Sequence, residues 1–285
     1  MPTNPTLLTF LDKPSDSDSR FILFAAPLDE TTSNRSGTRF GPDAVRRESR
    51  FLDTYSTRSG LDWDDLDLSD IGDVDCSSVE ACLRGVEETI NGVDGFPVML
   101  GGEHTITLGA LRALKPELVV VFDAHLDLRD ELFGERLCHA TYLRRAVEEV
   151  GCRALVVGAR ALSGEEVAYA GESESVTYVT SRDFMGDPAG CLERVARDVE
   201  SFESVYLSID LDVLDPAYAP AVGNPHPEGL TTTMLLDAVD VVMRGNVVGM
   251  DLNEVYPHFD QGVTATTAAY VVMESLYSYL VHRHE

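Results

Sequence analysis

At 285 residues with 44% hydrophobic side chains, the chain is long enough to bury a substantial core and too apolar for a disordered acidic polymer. Asp plus Glu number 49 against 22 Lys plus Arg, a net charge of -27, and only Lys13 and Lys115 are lysines. So negative a surface argues against nucleic acid or anionic membrane as partner, and fits a protein adapted to high salt, where counterions screen self-repulsion.

The five cysteines (Cys76, Cys82, Cys138, Cys152, Cys191) are odd in number and lack CxxC spacing. They fit a reducing compartment and argue against a disulfide or zinc framework. No apolar stretch approaches the roughly 20 residues that span a bilayer. The apolar patch at 7–11 has no basic region before it and is too short for a signal, so a cytoplasmic protein is expected.

Residues 1–20 are polar and rich in Pro, Ser and Asp, and a loose arm is expected there. Residues 21–27 (FILFAAP) form the first expected strand. A polar loop follows, in which residues 33–37 could act as a lid or an inter-subunit loop, and then a helix with Pro42 at its first position. Residues 66–74 alternate as a strand does, and Ser78 can cap a helix running to about Thr89, ahead of Gly92. Residues 97–100 are a short buried strand leading into GGEHTITLGALRAL. Gly101 and Gly102 permit a sharp turn there, and 107–114 has helical spacing.

Residues 118–122 (LVVVF) have the continuous apolar character of a parallel strand buried on both faces. The strand then breaks into DAHLD, which brings Asp123, His125 and Asp127 to its carboxyl end, where open α/β sheets bind their ligands. His104, between strand and helix, is expected at the same edge, one strand away. A helix is expected over 140–150, preceded by His139, with strands at 154–157 and 176–179 and helices between them. Residues 205–212 (VYLSIDLD) repeat the earlier pattern, and alternation places Asp210 and Asp212 on one face. The Pro- and Gly-rich stretch 219–230 is irregular. A helix over 232–243, a strand over 247–251 ending near Glu254, and a terminal helix over 266–280 complete the chain. About eight strands alternating with helices predict an α/β fold. With no repeat, low-complexity linker or composition shift, 1–285 is expected to be a single domain.

Collected at one sheet edge, His104, Asp123, His125, Asp127, Asp210 and Asp212 make four carboxylates and two imidazoles. Burying so many carboxylates without a cation is costly. The set is too large for one zinc and suits two hard-to-borderline ions such as Mn²⁺ sharing carboxylates. Such a pair makes a nucleophile from water at neutral pH.

The motifs closely resemble those of the ureohydrolase family, which contains arginases and agmatinases. The resemblance rests on GGEHTIT (101–107), DAHLD (123–127) and SIDLDVLDP (208–216). GTRFGPDAVR (37–46), LCHATYLRR (137–145), NEVYP (253–257) and DQGVTATTAAY (260–270) support it. It implies a three-layer α/β/α sandwich around a mainly parallel eight-stranded sheet, two Mn²⁺ per subunit, and a homo-oligomer, trimer or hexamer. By motif, Asp123 and Asp210 would bridge the ions, His104 and Asp127 would complete one shell, and His125 and Asp212 the other. Asp127 would also help move the proton during attack on the guanidinium carbon. His139 matches the family's proton-shuttling histidine, and Glu254 the glutamate that holds the guanidinium.

The segment DLRDELFGERLCHATYLRR (127–145) is closer to agmatinases than to arginases, and its acidic residues Asp130, Glu131 and Glu135 suit a dication. The implied reaction is hydrolysis of agmatine to putrescine and urea. Aminopropylagmatine, guanidinobutyrate, arginine and formimidoylglutamate are alternative substrates. Two departures fall near the expected substrate mouth. GNPHPEG (223–229) stands where the family has G-T-P-x-x-G-G, which puts Asn224 among the candidate substrate contacts, and Tyr256 replaces the small polar residue usual before Pro257. A one-zinc deacetylase of related fold would not need the second set of ligands, and a non-catalytic regulator would have lost some.

Overall fold

The computed structural model describes residues 3–15 and 18–283. The chain opens with β1 (Thr3–Asn4) and β2 (Phe21–Ala26), followed by α1 (Gly41–Ser49), whose first turn contains Pro42. Next come β3 (Leu68–Val74), α2 (Val79–Asn91), β4 (Phe96–Gly101), α3 (Thr107–Leu114) and β5 (Leu118–Phe122). Ser78 Oγ caps α2 by accepting the Ala81 N–H at 3.2 Å. The helix expected over 140–150 is α4 (Tyr142–Arg145) continued by one wide π turn (Ala146–Val150), in which the Gly151 N–H reaches Ala146 O. The remaining elements are β6 (Arg153–Ala159), α5 (Gly164–Glu172), β7 (Val176–Thr180), α6 (Ser181–Gly186), α7 (Pro188–Glu200), β8 (Val205–Asp210), α8 (Thr232–Met243), β9 (Val247–Asn253) and α9 (Val263–Arg283).

Among the described residues, nine strands form one sheet in the order β1-β3-β2-β4-β9-β8-β5-β6-β7, parallel except for the β1–β3 pair. Alternation along β5 shows how its two faces are covered. Leu118, Val120 and Phe122 enter the core shared with α1, α7, α8 and α9, while Val119 and Val121 enter the one shared with α2, α3 and α4. This is the expected three-layer arrangement, with nine strands in place of eight.

The extra strand comes from the segment expected to be a loose arm, and for residues 3–13 that expectation is corrected. Thr3 and Asn4 pair with Val74 and Asp73. Phe10 and Leu11 are buried, and their N–H groups donate to Asp70 Oδ2 (2.9 Å) and Ser49 Oγ (2.8 Å). Lys13 Nζ donates to Trp63 O and Leu66 O. Two apolar side chains and one cation with carbonyl partners suffice to dock a polar segment. Residues 1–2 and 16–17 lie outside the described residues. Asp70 also forms a two-point pair with Arg46 (2.8 Å to each carboxylate oxygen), tying α1 to β3 within the motif 37–46.

The expectation of no disulfide is corrected as well. Cys76 and Cys82 are bonded, their Cα atoms 4.2 Å apart across the start of α2. A pairing so local needs only the turn into one helix, which neither an odd count nor missing CxxC spacing excludes. Cys138, Cys152 and Cys191 are free. Among the described residues no helix is long and apolar enough to cross a membrane.

Candidate metal centre

Strands β4, β9, β8 and β5 are neighbours, and the segments beyond their carboxyl ends converge. After β4, Gly102 is required, because a Cβ there would stand 1.9 Å from Leu28 O. His104 then opens a 3₁₀ turn, 1% exposed. Its Nδ1 lies 3.2 Å from Asp123 Oδ2, 3.4 Å from Asp210 Oδ2 and 3.6 Å from Asp127 Oδ2. His104 was expected one strand from the DAHLD segment. That is corrected, because β9 and β8 both stand between β4 and β5.

On the other side, His125 Nδ1 lies 3.0 Å from Asp212 Oδ2 and 3.4 Å from Asp123 Oδ1. Asp210 and Asp212 do not share a strand face as alternation predicts. β8 ends at Asp210, whose Oδ1 accepts the Asp212 N–H at 2.8 Å, and the 3₁₀ turn Leu211–Val213 carries Asp212 round to His125. Two ligand groups result, His104–Asp123–Asp210 and Asp123–His125–Asp212, each with its donor atoms within 4.8 Å of one another. Asp123 belongs to both, and Asp127 borders the first.

The electrostatics fit cations. Burial first, and then the neighbouring carboxylates, push Asp127 and Asp210 well above the usual carboxylate range. Burial opposes the charged forms of His104 and His125, but the adjoining aspartates outweigh it and hold both imidazoles well above their ordinary value. His104 Nδ1 is buried without a hydrogen-bond partner and aimed into the carboxylates. A cluster that gathers protons when alone, around an imidazole nitrogen with nothing to bond, is a set of donors that divalent ions would satisfy.

A second layer fixes His104. Asp251, fully buried on β9, accepts from Ser208 Oγ (2.6 Å), Asn253 Nδ2 (2.7 Å), Tyr206 Oη (2.8 Å) and Thr107 Oγ1 (2.9 Å). Since Ser208 donates to Asp251, its oxygen is left to accept from His104 Nε2 at 2.8 Å, with Tyr142 Oη 2.9 Å from the same nitrogen. This contact favours a proton on Nε2, so that a cation among the aspartates could take the lone pair of Nδ1 in place of a second proton. The sequence reading missed this network, although Ser208 lies two residues before Asp210 in a quoted motif. It also missed Arg160, at the end of β6, which donates to Asp212 O (2.6 Å), Val213 O (3.1 Å) and Leu214 O (3.1 Å), and to His226 O (2.9 Å) in the following loop. A single arginine after a strand carries no sequence signal for such a role.

His104, His125, Asp127, Asp210 and Asp212 share one small cavity with His139, Asn224 and Glu254. Burial lowers the proton affinity of His139, whose Nε2 is 3.2 Å from Ser33 Oγ. The loop considered as a lid or inter-subunit segment therefore meets the site. Asn34 Nδ2 donates to Gly223 O (3.0 Å) and Arg35 to Val222 O (2.8 Å). Buried Glu103 holds the start of that loop by accepting the Glu30 and Thr31 N–H groups and the Thr31 hydroxyl. Glu254 is 6% exposed, and burial pushes its carboxyl up to about 8. Glu254 (φ +67°) and Asp127 (φ +50°) both occupy the left-handed region. That conformation costs side-chain-bearing residues on the order of 1–3 kcal/mol and concentrates at functional sites.

Residues 19–277 match the sequence pattern of the arginase family. The chain belongs to the arginase family. It is a hydrolase of the arginase and agmatinase kind, which acts on guanidino C–N bonds. It is 37% identical over 267 residues to an N(1)-aminopropylagmatine ureohydrolase of Thermococcus kodakarensis, covering 90% of each chain. It is 35% identical over 286 residues to a guanidinobutyrase of Pseudomonas aeruginosa, covering 94% of this chain and 89% of that one. Among solved structures, the agmatine ureohydrolase of Thermoplasma volcanium superposes with a TM-score of 0.88 at 31% identity, over 98% of this chain and 96% of that one. The arginase family has a binuclear metal centre, and the two ligand groups that share Asp123 are clusters of His and Asp able to hold metal ions.

Proposed function

We propose that this family member is an agmatinase, converting agmatine and water to putrescine and urea with two Mn²⁺ per subunit. The observation that carries the reading is the single cavity in which Glu254 and His139 face the paired ligand groups. His104, Asp123, His125, Asp127, Asp210 and Asp212 would hold the ions, and a set of four carboxylates and two imidazoles suits manganese. Bound there, the ions supply a water nucleophile that is active at neutral pH and offset charge developing on the substrate. Glu254 accepts the guanidinium N–H groups in charge-assisted hydrogen bonds, the bound cation favouring the carboxylate form that burial alone opposes. Asp127 takes a proton during attack, and His139, kept mostly neutral by burial, shuttles a proton to the departing amine. Asn224 contacts the substrate from the loop at the mouth.

The far end of the substrate sets the choice among guanidino compounds. Asp130 is not free for it, because Arg136 (3.0 Å) and Arg145 (2.8 Å) pair with its carboxylate. The neighbouring cavity of about 470 Å³ is lined by Glu30, Glu80 and Glu135 and reaches Thr31 and Cys138, next to His139. Such a lining favours a terminal ammonium over the carboxylate of guanidinobutyrate, arginine or formimidoylglutamate. A second reading, a longer cation of the aminopropylagmatine kind, draws on the same lining and on the 37% identical relative.

The test is urea release by the manganese-loaded protein in high KCl, with agmatine, aminopropylagmatine, guanidinobutyrate and arginine in parallel and formamide release for formimidoylglutamate. Agmatine should give the largest kcat/KM. No urea from agmatine would overturn the reading.

We also read the chain as a cytoplasmic homo-oligomer, a trimer or hexamer, built for high salt. The basis for the last is the net charge of -27 with two lysines. Its thermal midpoint should rise by several degrees between roughly 0.2 M and about 3 M KCl as self-repulsion is screened. A midpoint independent of salt would contradict this.

A further inference from the structure

The tyrosine that departs from the family's usual small residue is neither exposed nor idle. Tyr256 is 2% exposed, and its hydroxyl donates to Glu254 Oε2 at 2.9 Å. Burial and the neighbouring Glu254 carboxylate both keep the phenol protonated, so it stays a donor. The other carboxylate oxygen, Glu254 Oε1, accepts the His104 N–H at 2.7 Å. The backbone around the pair is fixed too. Glu254 N–H donates to Gly102 O (3.0 Å) and Tyr256 N–H to Ala221 O (2.8 Å). Gly223 closes the arrangement from the facing loop, where a Cβ would stand 3.0 Å from both Glu254 Oε2 and Tyr256 Oη.

We propose that Tyr256 is a positioning residue for substrate binding, a clamp that holds the Glu254 carboxylate in its guanidinium-binding orientation, with Gly223 leaving the space the clamp needs. The inference rests on the reading of Glu254 as the guanidinium acceptor. One protein donor on each oxygen leaves each with a further lone pair, and a planar guanidinium offers two parallel N–H groups to such an edge. Holding a flexible side chain before substrate arrives removes an ordering cost from binding. It also helps keep Glu254 in its left-handed backbone conformation when no substrate is bound.

Tyr256→Phe in the manganese-loaded full chain removes only the hydroxyl. KM for the guanidino substrate should rise about tenfold, as for loss of a hydrogen bond to a charged group, with kcat within about threefold of wild type. Calorimetric affinity for free guanidinium ion should fall by a similar factor, with metal content unchanged. A merely structural role would lower the thermal midpoint and leave both KM and guanidinium affinity where they were, and that result would overturn the clamp. If Tyr256→Phe does not fold, Gly223→Ala decides, because its methyl presses on the same two oxygens and should raise KM and weaken guanidinium binding; no change in either would overturn the clamp. Calorimetry also separates this inference from the functional reading. Guanidinium binding that weakens in Tyr256→Phe, in a protein that hydrolyses no guanidino compound, would support the clamp while removing the proposed reaction.

Discussion

Asp123→Asn should lower kcat/KM by at least about a thousandfold, which corresponds to roughly 4 kcal/mol of transition-state stabilisation. Asp123 alone belongs to both ligand groups. Its Oδ2 faces His104 Nδ1, and its Oδ1 faces His125 Nδ1 while accepting the His125 N–H at 2.6 Å. Asparagine keeps the shape but loses the charge and turns a donor group toward one ion. The variant should purify with less than a full complement of metal, measurable by elemental analysis. Asp130→Asn is the matched control, since that carboxylate is committed to Arg136 and Arg145. It should stay within about threefold of wild type, because Asp130 lies outside both ligand groups and its own side chain is 44% exposed. Equal losses in both variants would mean that the shared aspartate holds no ion.

Chelation should lower the thermal midpoint by roughly 10 °C. Ions bound at about a thousand times their dissociation constant stabilise by about 4 kcal/mol, and each kcal/mol moves a chain near this size by about 2–4 °C. The physical source is visible in the site. Without cations, Asp123, Asp127, Asp210 and Asp212 are all at most 7% exposed and close together. Readdition of Mn²⁺ should restore the midpoint. A midpoint indifferent to chelator would show that the cluster is stable as an ion-free network and would remove the metal reading.

The helices α3 and α8, and the gathering of His104, Asp123, His125, Asp127, Asp210 and Asp212, were legible in the chain because local rules govern them: helical spacing, a closing Gly245, and a buried apolar run that breaks into Asp and His. What escaped depends on pairings through space. The stacking of β9 and β8 between β4 and β5 cannot be read from periodicity, so His104 was placed two strands too near. Alternation carried Asp212 onto the face of Asp210 because nothing in SIDLD marks the end of β8 one residue after Ile209. The docking of residues 3–13 depends on Asp70, Ser49 and Trp63, all distant in sequence. Tyr256 stood out as a departure, but only the distances give it a partner.

The strand order has a consequence for the making of the protein. β9 is the last strand in the chain, yet it lies between β4 and β8, and no other strand joins β1-β3-β2-β4 to β8-β5-β6-β7. It is a keystone. Any sheet formed before residues 247–253 are in place is in two separate fragments with open inner edges, hazards for pairing with other chains. His104 belongs to one fragment, and Asp123, His125, Asp127, Asp210 and Asp212 to the other. A site that needs both fragments is complete only once the keystone strand has joined them and brought Asp251 and Glu254 with it.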